Sequence, residues 1–264
     1  MKQSGEVTQE TLDSAQYSSS SILQYEAVYG ENFVSPGGSD LAAELIGTLD
    51  LAPDSRVLDV GCGLGGSAFV MARRFSLYVD GIDLSKNMLA MANKKLAAHG
   101  LSDRISLEWG DCLELDRAGY YDAVYSRDVF LHIHDKKRLF SVLNASLRPA
   151  GQLLFSDYCC GQKPWSEEFS AYVEDRGYCL HTLADYAKLI AEAGFEQVEY
   201  QDLTGRFIDI LHSDLDRIAG LDTDESVKQH LQESWRQKLA RAQAGDHRWG
   251  LFTAIKGVGD RDGR

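Results

Sequence analysis

The chain has 264 residues, with 40 acidic against 27 basic side chains and a formal charge of −13 at neutral pH. That length fills one good-sized hydrophobic core and does not require a second. A balance this acidic argues against broad binding to nucleic acid or to an anionic membrane, since both are driven by basic surfaces, but a few inward-facing Arg and Lys could still hold an anionic small molecule. The chain opens Met1-Lys2-Gln3-Ser4 and stays polar through Gln16, without the apolar core of a secretory leader. No apolar run approaches bilayer length, so a cytoplasmic protein without stable membrane association is expected. From residue 56 onward short apolar runs alternate with helical spacing, the pattern of a parallel sheet covered by crossover helices. Strands are predicted at 56–60, 77–82, 105–109, 122–125 and 152–156, with a helix over 85–96. Helical spacing returns at 183–193, Gly194 stops it, and 197–202 reads as a strand. The charged, helical 208–244 is expected to form a cap or lid, and a last strand is expected at 249–255. The expected organisation is one α/β domain over 1–264, with 1–50 closing a site, 51–160 as the binding core and 161–264 supplying substrate-side helices and the last strands.

Five cysteines, Cys62, Cys112, Cys159, Cys160 and Cys179, are odd in number and lack C-x-x-C or paired metal-ligand spacing, so they are read as reduced thiols with no metal. His99, His134, His181, His212, His230 and His247 show no ligand spacing either and are left unassigned.

The densest chemistry follows the first strand, where Asp59-Val60-Gly61-Cys62-Gly63-Leu64-Gly65-Gly66 leads into a helix expected to start near Ser67. Gly61, Gly63 and Gly66 satisfy G-x-G-x-x-G, which by itself allows a nicotinamide dinucleotide. Asp59 tips the balance, because a carboxylate there can accept from the amino-acid end of a cationic cofactor and would repel a pyrophosphate. Asp83 ends the second strand, where it can take both ribose hydroxyls, and Leu84 follows to pack on adenine. Asp111, after the third strand, is placed to accept from the adenine amino group. Ligands bind outside the carboxyl ends of strands in such sheets, so three acids at three strand ends point to S-adenosyl-L-methionine. The plain alternatives are that Asp83 caps the following helix and Asp111 shapes a turn.

Further segments resemble the compact, single-domain phosphoethanolamine N-methyltransferases among the class I methyltransferases. They are Gln16-Tyr17, Val28-Tyr29-Gly30-Glu31-Asn32-Phe33, Ser35-Pro36-Gly37-Gly38, Tyr125-Ser126-Arg127-Asp128, Leu131-His132, Asp157-Tyr158-Cys159, Arg176-Gly177-Tyr178 and Arg248-Trp249-Gly250. The resemblance implies a Rossmann-like seven-stranded sheet, mostly parallel with one antiparallel strand, plus N-terminal helices and a helical lid. It implies that Tyr17 and His132 form a catalytic pair that latches the site and assists amine deprotonation. Gln16, Tyr17, Tyr158, Arg176, Tyr178 and Lys238 would bind the phosphorylated amine. Gln16, Ser35, Gly61, Gly63, Asp83, Leu84, Asp111 and Arg127 would contact the cofactor, with Cys112 where the family tends to carry an aliphatic residue.

Methyl transfer from a sulfonium is an in-line displacement, so alignment supplies much of the rate. A primary ammonium has a pKa of about 10 and must lose its proton at or before transfer, which makes His132 the expected acceptor. Asp128 could attract the cationic amine; otherwise it would be a helix N-cap. Arg176 and Lys238 could hold a phosphate, with Tyr158 and Tyr178 donating hydroxyl hydrogen bonds. The competing activities are methylation of a quinone or sterol carbon by the same fold, a nicotinamide-dependent reductase, and a non-catalytic S-adenosylmethionine-binding module. A monomer acting on a small phosphorylated amine is expected.

Overall fold

A computed structural model of the protein describes residues 9–11, 13–14 and 17–258. Before the sheet come α1 (Gln9–Thr11), α2 (Ser19–Tyr29) and α3 (Gly38–Ile46). The first half of the sheet runs β1 (Arg56–Val60), α4 (Gly66–Phe75), β2 (Tyr78–Asp83), α5 (Lys86–His99), β3 (Ile105–Trp109) and β4 (Tyr121–Arg127). A short 3-10 turn, Cys112–Glu114, lies between β3 and β4, and a second, Phe130–His132, leads to α6 (Lys136–Ser146) and β5 (Leu147–Cys160). The remainder is α7 (Glu167–Arg176), α8 (Leu183–Glu192), β6 (Phe195–Asp202), α9 (Thr204–Ala219), α10 (Glu225–Ala244) and β7 (His247–Lys256).

The seven strands form one sheet in the order β3-β2-β1-β4-β5-β7-β6. β1 to β5 are parallel, and β7 runs antiparallel to both of its neighbours. The antiparallel strand therefore lies one place in from the edge, and β6 is the edge itself. Val57 to Val60 are all buried, because helices cover both faces and no side of the strand meets water. One face packs Val57, Ala123, Leu154 and Trp249 against α3, α4, α9 and α10; the other packs Leu58, Val124, Leu153 and Phe252 against α6 and α8.

The glycine-loop helix begins at Gly66, one residue before the expected Ser67. His132 sits in the 3-10 turn between β4 and α6. The charged 208–244 segment resolves into two helices, since Gly220 ends α9 and a new helix begins only at Glu225. Trp235 of α10 is buried and donates from Nε1 to Asp214 of α9 at 3.2 Å, which pins the pair together. Among the described residues no helix is long and apolar enough to cross a membrane.

Candidate active site

The carboxyl ends of β1, β2 and β4 open into a cavity of about 720 Å³. Every site residue expected from the sequence lines it except Gln16, which lies outside the described residues. Its walls come from the glycine loop, the 3-10 turn, the N-terminal segment, α7 and α10.

At the loop, Gly61 holds φ +70°, and a Cβ there would sit 2.2 Å from Val129 Cγ2. Only glycine fits that conformation and that approach. The loop is tied down by Gly61 N–H donating to the Ile82 carbonyl at 2.8 Å and Gly63 N–H donating to Asp83 Oδ2 at 2.8 Å. Asp83 Oδ1 accepts from Ser85 N–H at 2.8 Å, so its carboxylate bridges the loop and the start of α5. Asp83 is not the N-cap of α5; that is Ser85, whose hydroxyl accepts from Met88 N–H at 3.1 Å. Burial pushes the Asp83 carboxyl up to about 6 against the pull of its amide donors.

Asp59 is buried beneath the loop, and its Oδ2 has no hydrogen-bond partner among the described residues. Burial, with Asp83 nearby adding to it, pushes the Asp59 carboxyl up to about 7, while Arg127 opposes the rise. A buried oxygen without a donor calls for one from outside the chain. Asp111, Leu84 and Cys112 line the same end. Asp111 Oδ1 accepts from Leu113 N–H at 2.9 Å and caps the short turn Cys112–Glu114, so the turn-shaping role applies to one oxygen. Burial pushes the Cys112 thiol up to about 12. Arg127 donates to the carbonyls of Gly38, at 3.0 Å, and Pro36, bracing the turn that carries Ser35.

Beyond the loop, Tyr17 and His132 meet with Oη to Nε2 at 3.4 Å, their rings edge to face with centroids 6.2 Å apart. His132 Nδ1 is buried without a partner among the described residues, and Tyr178 flanks the imidazole at 5.2 Å. Burial, with Lys136 and Arg176 adding to it, lowers His132 to about 4, so the ring is neutral at pH 7. Burial raises the Tyr17 phenol well above its ordinary range. The Tyr17 segment is anchored on α5: Asp13 accepts from the Ser85 hydroxyl and, at 3.2 Å, from Lys86 N–H. Asn87 Nδ2 donates to the Asp13 and Tyr17 carbonyls at 3.2 and 3.0 Å.

Asp128 holds φ +56° at the end of β4. It does not cap a helix: Oδ1 accepts from Trp249 Nε1 at 2.7 Å and from the Ser156 hydroxyl at 3.2 Å, while Oδ2 is buried without a partner among the described residues. Its carboxyl is raised by burial.

The far end is cationic and phenolic. Lys238 Nζ lies over the Trp235 ring at 4.8 Å and donates to the Tyr29 hydroxyl at 3.4 Å. Burial lowers it to about 8. Arg176 faces the Tyr172 ring, and Tyr158 and Tyr178 stand beside it in the cavity wall. Arg241, which the sequence analysis did not single out, is also buried in this wall. Its guanidinium lies 3.8 Å from the centre of the Tyr172 ring, and Nη1 donates to Glu168 Oε1 at 2.8 Å. The available signal was spacing: Ser234, Lys238 and Arg241 fall at i, i+4 and i+7, one face of α10. Tyr25, Tyr29 and Tyr172 line the cavity too.

Residues 37–200 match the family described as a methyltransferase domain. A phosphoethanolamine N-methyltransferase of Plasmodium falciparum (isolate 3D7) is 30% identical over 256 residues, spanning 93% of this chain and 95% of that protein. The chain belongs to the phosphoethanolamine N-methyltransferase family. Within this family, phosphoethanolamine N-methyltransferase 3 of Arabidopsis thaliana is 41% identical over 254 residues, which is 93% of this chain but 51% of the plant protein. The chain thus spans about half the length of the plant relatives it matches. A solved structure from the same family, Haemonchus contortus phosphoethanolamine N-methyltransferase 2 in complex with phosphomonomethylethanolamine and S-adenosylhomocysteine, is 32% identical with a TM-score of 0.91, over 94% of this chain and 60% of that one.

Proposed function

We propose that this chain catalyses S-adenosylmethionine-dependent N-methylation of phosphoethanolamine and its methylated intermediates toward phosphocholine. The observation that carries the proposal is the polarity of one cavity, with unsatisfied carboxylate at the loop end, cations and phenols at the other, and the Tyr17–His132 contact between them. The residues at the acidic end suit the cofactor: Asp59 Oδ2 lacks a donor that an amino-acid ammonium provides, and the glycine loop leaves no side chain in the way. Asp83 would take the ribose hydroxyls, Asp111 the adenine amino group, and Leu84 and Cys112 would pack on the ring, with Ser35, Gly61, Gly63 and Arg127 shaping the walls. Bound there, S-adenosylmethionine supplies an electrophilic methyl carbon.

The other end suits a phosphate monoester, which carries about −1.5 to −2 charges at pH 7. Arg176, Lys238 and Arg241 supply compensating charge, and Tyr158 and Tyr178 supply hydroxyl donors. Gln16, next to Tyr17 in sequence, is assigned to the same phosphate. Asp128 attracts the ammonium through its free Oδ2. The amine proton then passes to His132 Nε2, directly or through the Tyr17 hydroxyl, leaving the lone pair to attack. A neutral imidazole is the state that can accept it. A quinone or sterol offers no negative charge to a wall that carries Arg176, Lys238 and Arg241.

The test is to incubate the protein with S-adenosylmethionine and, separately, phosphoethanolamine, its mono- and dimethyl forms, and free ethanolamine. Methyl transfer to the phosphorylated amines, with free ethanolamine a much poorer acceptor, is the expected result. Absence of turnover on all four overturns the substrate assignment, and cofactor binding without any turnover favours the binding module.

A further inference from the structure

The buried cation Lys136 has no place in the chemistry above. The residue is 3% exposed, and its ammonium forms no salt bridge among the described residues. It donates instead to three backbone carbonyls: Phe130 at 2.6 Å, Ile133, and Cys179 at 3.2 Å. Two of these oxygens flank His132 on the 3-10 turn. The third belongs to the residue after Tyr178, whose ring contacts the imidazole. Cys179 N–H completes the link by donating to the Leu131 carbonyl at 2.8 Å. One ammonium therefore gathers the carbonyls of both segments that hold the His132 ring. Asp157 is a nearby opposite charge but outside ion-pair distance, and burying a charge without a direct ionic partner is costly and calls for a return.

We propose that Lys136 is a positioning residue for His132, fixing the turn that bears the imidazole and biasing the ring toward its neutral, proton-accepting form. Carbonyl oxygens crowded at the end of a turn favour a protonated imidazole, as helix C-termini do. Lys136 covers those oxygens and adds a positive charge of its own. The other ionisable groups around the ring are Tyr17 from the N-terminal segment, Arg176 from α7 and Tyr178 after it. Asp128 lines the same cavity, and Asp157 lies behind the turn, accepting from the Tyr186 hydroxyl at 2.6 Å. Of these, Arg176 opposes protonation as Lys136 does, and burial lowers Lys136 itself.

The inference rests on the proposed role of His132, so the test separates the two. Lys136→Met removes charge and donor together, whereas Lys136→Gln keeps a donor for the carbonyls without the charge. The His132 ring proton is followed by NMR titration of histidine-labelled protein, and kcat is measured against pH with phosphoethanolamine. In both folded variants the His132 midpoint should rise by about one pH unit. The acidic limb of the rate should move up with it, and kcat in Lys136→Met should fall roughly tenfold or more as the ring loses its alignment. Lys136→Arg, which keeps the charge, should hold the midpoint near that of the unaltered protein. An unmoved midpoint in a folded neutral variant overturns the inference. So does failure of both neutral variants to fold, which would assign Lys136 to the stability of the whole chain. A midpoint that moves while the acidic limb stays put supports Lys136 acting on His132 and removes His132 as the base.

Discussion

Arg241 and Lys238 stand within one turn of each other on α10, yet their surroundings give them different chemistry. Lys238 rests on the Trp235 ring, hydrogen-bonds a neutral phenol and is lowered to about 8 by burial, so its charge is sensitive to what enters the cavity. Arg241 is held by Glu168 and stacked on Tyr172, so its planar guanidinium is fixed in place. Arg241 is thus the permanent part of the proposed phosphate seat. Replacing it with Gln should raise KM for phosphoethanolamine by roughly ten- to a hundredfold, as expected when a charge-assisted contact worth about 1.5–3 kcal/mol is lost. The dissociation constant for S-adenosylmethionine, whose proposed site is at the other end, should stay within about twofold. Steady-state kinetics and calorimetry check the two halves. Arg241 was hidden in the sequence because a cation on a charged helix is normally solvated; its burial comes from Glu168 and Tyr172 of α7, far away in the chain.

At the scale of elements, the N-terminal segment and α5 are coupled by a small set of polar contacts. Asn87 bonds the carbonyls of both Asp13 and Tyr17, and Asp13 sits over the first turn of α5, where a carboxylate meets free amides. Asn87→Ala should cost about 1–2 kcal/mol of docking, enough to lower the population that brings Tyr17 to His132 roughly tenfold. The expected readout is faster amide hydrogen exchange near Tyr17 and a lower kcat, with the thermal midpoint nearly unchanged because the sheet is untouched. An unchanged exchange rate around Tyr17 would show that Asn87 does not hold the segment. This docking was not legible in the sequence. Asp13 and Asn87 are far apart in the chain and both read as ordinary polar residues, while the loop from Asp59 to Gly66 carries its conformation in its own glycines. The alternation of strands and helices was legible for the same reason, since burial on both faces of β1 leaves an apolar run in the local sequence. Strand ends were less so: β5 runs from Leu147 to Cys160, past the expected 152–156 at both ends, because pairing with β7 up to His247 carries its far end to Cys160 and Leu147 pairs with Tyr121 of β4 at its start.

Across the molecule, an acidic chain encloses a cavity with opposite ends. The formal charge of −13 says nothing of this arrangement, which depends on which helices point their cations inward. The acidic end has a measurable consequence. Asp59 and Asp83 are raised by burial to about 7 and about 6, so in the empty cavity each holds a proton over part of the range from about 4 upward. A cationic cofactor beside Asp59, and hydroxyl donors to Asp83, favour the ionised forms and lower both values. Binding of S-adenosylmethionine near pH 6 should therefore release protons, and its affinity should strengthen as pH rises toward about 7. Calorimetry in two buffers of different ionisation enthalpy measures the released protons directly. Identical binding heats in both buffers would remove Asp59 from the ammonium site.

The placement of β7 also governs how the molecule is made. It follows β6 in the chain but lies between β5 and β6 in the sheet, and its Trp249 supplies one of the two bonds that fix Asp128 Oδ1. As the chain emerges from a ribosome, β1 to β5 can zip together in order, while β6 appears with no neighbour to pair with. Only when β7 arrives can the edge of the sheet and the corner around Asp128 be completed. A nascent chain halted before His247 would carry the glycine loop and the Ser156 bond to Asp128 but lack the bond from Trp249, so the two ends of the cavity are completed at different times.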